Sequence, residues 1–248
     1  MRQCLFCSAP KTSAEHVLPQ WLKTAFDPSD LKRGMHIRAS EVGVRQHEQQ
    51  LLAGTVKAVC KKCNNEWMNS LEAGVRGFLP DMINGRVVRL TAEQMEALAA
   101  WSLKTVLMFR QSNQEPDREV IPAEDYAAFY AERRPSRLMS ARLACIAPPV
   151  NGPVVLAVDF SCPTFGLPDG GSGYVATLRI GYFVVQILRA GPLAPGSRVA
   201  RFAPSGQFVP LWPQPPASIW PPLLPIQGNL WQQFITPEQL TLATEAAA

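Results

Sequence analysis

Two Cys-x-x-Cys pairs constrain this chain more than any other feature: Cys4-Leu5-Phe6-Cys7 near the N-terminus and Cys60-Lys61-Lys62-Cys63 further on. Each pair chelates through a tight turn, and four thiolates supply the soft, closed tetrahedral shell of a structural zinc site. Cys4, Cys7, Cys60 and Cys63 are therefore the expected zinc ligands. Between Cys7 and Cys60 lie 52 residues. That gap exceeds a compact zinc ribbon, so the intervening segment must be a folded excursion whose ends the metal ties together. The competing readings are a redox dithiol or two unrelated pairs. A thioredoxin-like dithiol needs a βαβ context, which neither pair has.

With 248 residues, 47% of them hydrophobic and 18% charged, the chain can bury a sizeable core. It has no run of about 18 uncharged apolar residues, so no membrane-spanning helix is expected. The N-terminus lacks the basic, apolar and small-residue order of a signal peptide. A thiolate site suits a reducing compartment, and a cytoplasmic location is expected. Cys145 and Cys162 then read as isolated buried thiols.

The formal charge of +4 belongs to one part of the chain. Residues 1–86 hold 12 Lys and Arg against 8 Asp and Glu, and the remainder holds 12 against 12. A basic patch around the cysteines suits a phosphate backbone. Its candidate nucleic-acid contacts are Lys61, Lys62, Lys32, Arg33, Arg38 and Arg45; the alternative is an ordinary solvated surface.

Pattern and punctuation place these residues on elements. A brief helix is expected from Pro19 to about Phe26, since proline is tolerated in a first turn. Residues 31–54 read as an irregular basic excursion with a short hairpin around Met35 to Arg38. Thr55 to Cys60 alternates like a strand. Asn64 or Asn65 is the expected N-cap of a helix that runs to Leu79 and stops at Pro80. Trp67, Leu71, Val75 and Phe78 form its apolar face, and Asn65, Asn69, Glu72 and Arg76 form another.

Residues 84–90 read as a linker and short strand. Thr91-x-x-Gln94 is a capping box opening the strongest helix, Ala92 to about Arg110, in which Lys104 is expected to snorkel. Another helix is expected over Pro122 to Arg133. From about Leu138 the texture is that of strands, notably Val154 to Phe160, Tyr174 to Ile180 and Tyr182 to Leu188. Gly170, Gly171 and Gly173 read as a turn with no nucleotide role. Residues 204–225 hold eight prolines with Trp212 and Trp220 and read as extended coil. A last helix is expected from Pro237 to Leu242.

Cys4-x-x-Cys7, Glu15-His16-x-x-Pro19 and Cys60-x-x-Cys63-Asn64 together resemble the zinc-knuckle branch of the HNH endonucleases, in the His-Me finger superfamily. The resemblance covers roughly residues 1–80. It implies an α+β chain in two parts. Residues 1–83 would be a ββα-metal module with a four-cysteine zinc site. Residues 84–248, which the resemblance does not reach, read from their own helix and strand patterns as a mixed helical and antiparallel-β domain of unassigned role carrying the Pro/Trp-rich segment 204–225.

The family's roles would make His16 the general base that activates water. Glu15 stands where the family places a metal-binding Asp, and Asn64 where it has a His or Asn ligand, with Asn65 an alternative. Thr55 falls near the family's base-orienting Asn. One Mg²⁺ or Mn²⁺ would bind the scissile phosphate of DNA, expected to be duplex, and the products would carry 5′-phosphate and 3′-hydroxyl ends. Zinc would be structural only.

The residue chemistry agrees independently. A neutral imidazole is a competent base near pH 7. Hard oxygen donors from Glu15 and Asn64 suit Mg²⁺, which takes few protein ligands. The alternative function is a catalytically degenerate zinc module that binds nucleic acid or a protein partner. A protein partner or a homo-oligomer through the C-terminal domain is the open expectation for residues 84–248, and a small-molecule enzyme ranks third.

Overall fold

The computed structural model describes the chain except residues 1–2, 11–12, 28–30, 32–34, 41–42, 49–51, 113–120, 148–155, 162–172, 190–197, 204, 214–216, 228–239 and 245–248. It is a mixed α+β structure with antiparallel sheets. Cys162, Lys32 and Arg33, with the turn at Gly170 and Gly171, lie outside the described residues.

The first knuckle is followed by β1 (Ser13–His16), which pairs antiparallel with β4 (Thr55–Val59). Between them come a 3₁₀ turn (Gln20–Ala25) and a hairpin of β2 (Met35–Ser40) with β3 (Gly43–Glu48). The excursion is thus more regular than expected: Arg38 and Arg45 are register partners in a six-residue ladder. The brief expected helix is 3₁₀ rather than α, ending at Phe26 in extended backbone.

After β4 the backbone turns directly into helix α1 (Lys61–Cys63), continues through a π turn (Asn64–Met68) and resumes as α2 (Asn69–Val75). The expected asparagine N-cap is not used. The Cys60 sulfur accepts the Cys63 N–H and caps the helix instead. Pro80 does not stop the helix either; it sits in the first turn of a short helix α3 (Leu79–Ile83), where its missing N–H costs nothing.

Strand β5 (Val88–Leu90) leads to α4 (Ala92–Ser112), the centre of the molecule. The capping box forms reciprocally: Gln94 N–H donates to the Thr91 hydroxyl, and Thr91 N–H donates to the Gln94 side-chain oxygen. From Leu98 to Met108 every residue of α4 is buried. A helix covered on all sides must be packed on all sides. It meets α2 and β4 on one side, and β8 (Tyr174–Ile180) and β11 (Val209–Trp212) on another.

Helix α5 (Ala123–Glu132) follows, ending at Arg133 in the left-handed region. The sheet has strand order β11-β6-β9-β8-β7, with β6 at Met139–Cys145, β7 at Leu156–Ser161 and β9 at Phe183–Arg189. The β8–β9 turn needs Gly181, whose φ is +57° and where a Cβ would stand 2.6 Å from the Ile83 carbonyl oxygen.

The proline-rich segment is not plain coil. Its residues make β11, on the sheet edge where Pro210 is tolerated, and β12 (Ser218–Trp220), which pairs with β5. The first half of the expected C-terminal helix, residues 237–239, lies outside the described residues; from Leu240 the backbone is instead strand β13 (Leu240–Thr244), paired with β10 (Arg198–Phe202). One apolar core runs from Cys4 and Phe6 through Trp101 and Phe129 to Trp220, across the expected boundary at residue 83. Among the described residues no helix is long and apolar enough to cross a membrane.

Candidate metal centre and adjoining cleft

The two knuckles come together. One Sγ from each of Cys4, Cys7, Cys60 and Cys63 lies within 4.8 Å of the others, and Cys7 Sγ is 3.5 Å from Cys60 Sγ. Zinc–sulfur bonds of about 2.3 Å in a tetrahedron require sulfurs about 3.8 Å apart, so the cluster is compatible with a structural zinc site. Backbone donors favour the thiolate at Cys4, whereas burial raises the Cys7 and Cys63 thiols. Burial raises the Cys4 thiol, but N–H groups of Cys7, Cys60 and Phe6 outweigh it and bring it down to about 7. Burial pushes Cys63 up strongly, with the Trp67 indole opposing. A dication among the four sulfurs is the partner such buried thiolates need.

Aromatic packing fixes the knuckle to the rest of the chain. Phe6 meets Trp67 edge-on at 4.9 Å, and Trp67 meets Phe129 of α5 at 5.6 Å. The Arg133 guanidinium then covers Trp67 at 4.5 Å and Tyr130 at 4.0 Å.

Beside the knuckle is a cleft of about 410 Å³ lined by Ala14, Glu15, His16, Pro19, Gln20, Asn64, Asn65, Asn69 and Glu72. The β1–β4 pairing builds one wall. Its register slips between Ser13 and Glu15, so that Glu15 faces Val56 and His16 faces Thr55. Such a slip re-aims side chains. Glu15 is buried at 5% exposure, whereas His16 and Thr55 are exposed.

The helix builds the other wall. Asn64 Nδ2 donates to the Ser13 hydroxyl at 2.8 Å, which fixes the amide and leaves its carbonyl oxygen without a partner among the described residues. The π turn matters here. Asn69 N–H donates to the Asn64 carbonyl five residues back, so Asn64 and Asn69 both line the cleft.

Lys104 corrects an expectation. Its side chain does not snorkel; it is fully buried, with Nζ 2.8 Å from Glu15 Oε1 and 2.9 Å from Glu72 Oε1. Glu72 Oε2 accepts the Trp21 indole N–H at 3.2 Å. Burial pushes the Glu15 carboxyl up, Lys104 pulls it back, and the like charge of Glu72 adds to the rise. Glu15 Oε2 has no partner among the described residues.

The cleft thus gathers Glu15, His16 and Asn64. Asn65 and Asn69 join them; Thr55 sits opposite His16 on β4 without lining the space. Lys61 and Lys62 are exposed at the start of α1, and Arg38 and Arg45 are placed by their strands only. Glu72 and Lys104 were missed as site residues. A lone charge in the middle of an apolar helix was the available signal for a buried acidic partner. Among the donors that line the cleft, one oxygen of Glu15 and the side-chain carbonyl oxygen of Asn64 have no partner among the described residues, and both are hard oxygens of the kind a divalent ion such as Mg²⁺ takes. Comparison with known proteins found no matching family, no matching curated protein and no matching solved structure.

Proposed function

We propose that this protein is a metal-dependent endonuclease of the HNH type that hydrolyses phosphodiester bonds in DNA. The observation that carries the reading is convergence. Glu15 and His16 on β1, and Asn64 in the turn after β4, which follows His16 by 48 residues, line one cleft beside the four-cysteine cluster.

His16 is exposed at the cleft, where its imidazole can take a proton from water. The water oxygen bonds to phosphorus as the bond from phosphorus to the 3′ oxygen breaks. The leaving oxygen takes a proton from solvent and departs as a 3′-hydroxyl, and the phosphate stays on the 5′ end. Glu15 and Asn64 would hold a divalent ion, which would supply charge stabilisation for the phosphate and the leaving oxygen. Asn64 is held for that role by its bond to Ser13, and Glu15 by its bond to Lys104. The four-thiolate centre has no open position and holds the strands and helix in register.

The test is nicking of supercoiled plasmid with Mg²⁺ or Mn²⁺. His16→Ala is expected to slow it by about 10² to 10⁴-fold with zinc content and fold intact. A variant that cuts at the wild-type rate removes His16 as the base. One observation favours the second reading, a binding module that does not cut: Thr55 is shorter than the amide the resemblance calls for opposite His16. Wild-type protein that binds DNA but leaves plasmid intact in both metals decides for that reading.

A further inference from the structure

Apolar packing gives no reason for a lysine at position 104. Its neighbours Leu103, Thr105, Val106 and Leu107 are all fully buried, and a Met or Leu would fill the same space. Taking an ammonium out of water costs several kcal/mol unless its partners are well placed. Its partners are two carboxylates brought from opposite walls of the cleft, Glu15 on β1 and Glu72 on α2. Three of their four oxygens are occupied, by Lys104 twice and by Trp21 once. The fourth, Glu15 Oε2, belongs to the residue next to His16. Lys104 itself does not line the cleft, so it touches no substrate.

A point within hydrogen-bond distance of the buried Glu15 and the half-buried Glu72 carboxylates is also where a divalent ion would settle, because two anionic ligands attract it more than one carboxylate and an amide do. We propose that Lys104 is a built-in cation that fills this inner position, orients Glu15, and so confines the divalent ion to the cleft side, next to His16 and Asn64. It is a positioning residue, and the idea rests on the nuclease reading of the same cleft. It also sets the local charge: the trio of Lys104, Glu15 and Glu72 carries one net negative charge rather than two.

The experiment is Lys104→Met, with Mn²⁺ affinity read by electron paramagnetic resonance and plasmid nicking read at saturating Mn²⁺. Zinc content and near-ultraviolet dichroism check the fold. With the ammonium gone, Mn²⁺ is expected to bind about tenfold more tightly, drawn between Glu15 and Glu72. Nicking is expected to fall by about 100-fold, because the ion is displaced by an ångström or more. A general structural role would weaken both together.

Weaker Mn²⁺ binding, or nicking within threefold of wild type, overturns the proposal. Should Lys104→Met fail to fold, the double variant Lys104→Met/Glu72→Gln restores the net charge. It no longer draws the ion inward and is expected to bind Mn²⁺ with wild-type affinity, but Glu15 still lacks the ammonium that orients it, so nicking stays low; wild-type nicking in it overturns the proposal. The two ideas separate cleanly. Wild-type protein that cuts no DNA, with Mn²⁺ affinity rising on Lys104→Met, refutes the nuclease and keeps the inner cation. Wild-type protein that cuts, with Mn²⁺ affinity falling in the variant, refutes the inner cation alone.

Discussion

Two of the buried cations, Lys104 and Arg189, lie at similar depth and are paired in different ways. Lys104 serves two carboxylates at the edge of a cleft and leaves one oxygen of Glu15 without a partner among the described residues. Arg189, on β9, meets Asp125 of α5 through two nitrogens, with Nε 3.0 Å from Oδ2 and Nη2 3.1 Å from Oδ1. That fork engages both oxygens of one acid and pins α5 to the sheet. Burial pushes the Asp125 carboxyl up and Arg189 pulls it back, as Lys104 does for Glu15. A planar guanidinium closes a carboxylate, whereas a point charge can be shared and leaves donors over. The sheet end of the chain spends its buried charge on a joint, and the knuckle end keeps some oxygen for a ligand.

The largest test of that division is removal of the knuckle's metal. Structural zinc contributes about 10–16 kcal/mol of binding energy in isolated fingers. Cys60→Ser is expected to lose zinc and unfold β1, β4 and the start of the helix, while β8 and β9 keep their hydrogen-exchange protection. Elemental analysis and exchange by mass spectrometry read both halves. Wild-type protein purified without chelator and lacking zinc would end the four-thiolate assignment. Loss of protection in the sheet as well would mean that the two ends fold as one unit through Phe6, Trp67 and Phe129.

Next in size is the sheet's own cation. Arg189→Met leaves Asp125 buried without its fork and is expected to cost about 3–5 kcal/mol of stability. Nicking per folded molecule should stay within threefold of wild type, because Arg189 lies on β9 and outside the cleft. Urea unfolding and the plasmid assay check the two halves. A collapse of nicking in folded Arg189→Met would dissolve the contrast with Lys104.

How legible this was in the sequence depends on the range of the interaction. The cysteine pairs, the capping box at Thr91 and Gln94, and the strand texture of Tyr174 to Ile180 are local patterns, and the structure contains each of them. Glu15, His16 and Asn64 were legible as a constellation because each sits beside a knuckle or a short motif. Cys60 as a helix cap was hidden because sulfur is not an ordinary capping group. The C-terminal strand β13 was hidden because only its partner β10 makes Leu240–Thr244 extended. Lys104 needed tertiary knowledge: its carboxylates lie 89 and 32 residues away in the chain. The periodicity of α4 marks position 104 as buried, but not what waits there.

The smallest expected effect concerns the knuckle's own lysines. Lys61 and Lys62 are exposed and open the helical stretch that runs to Val75. Cations there oppose the positive end of the helix dipole, at a cost of a few tenths of a kcal/mol each. Two anions could offset that cost, the net-negative four-thiolate centre that flanks the lysines and a phosphate partner, and the salt dependence of binding tells them apart. If each lysine meets one phosphate, Lys61→Gln/Lys62→Gln should reduce the slope of log affinity against log salt for duplex DNA by about 2. The same variant should gain a little thermal stability. A salt slope identical to wild type would leave both lysines as solvated charges, and the contrast between a ligand-facing knuckle and a self-satisfied sheet would rest on the cleft alone.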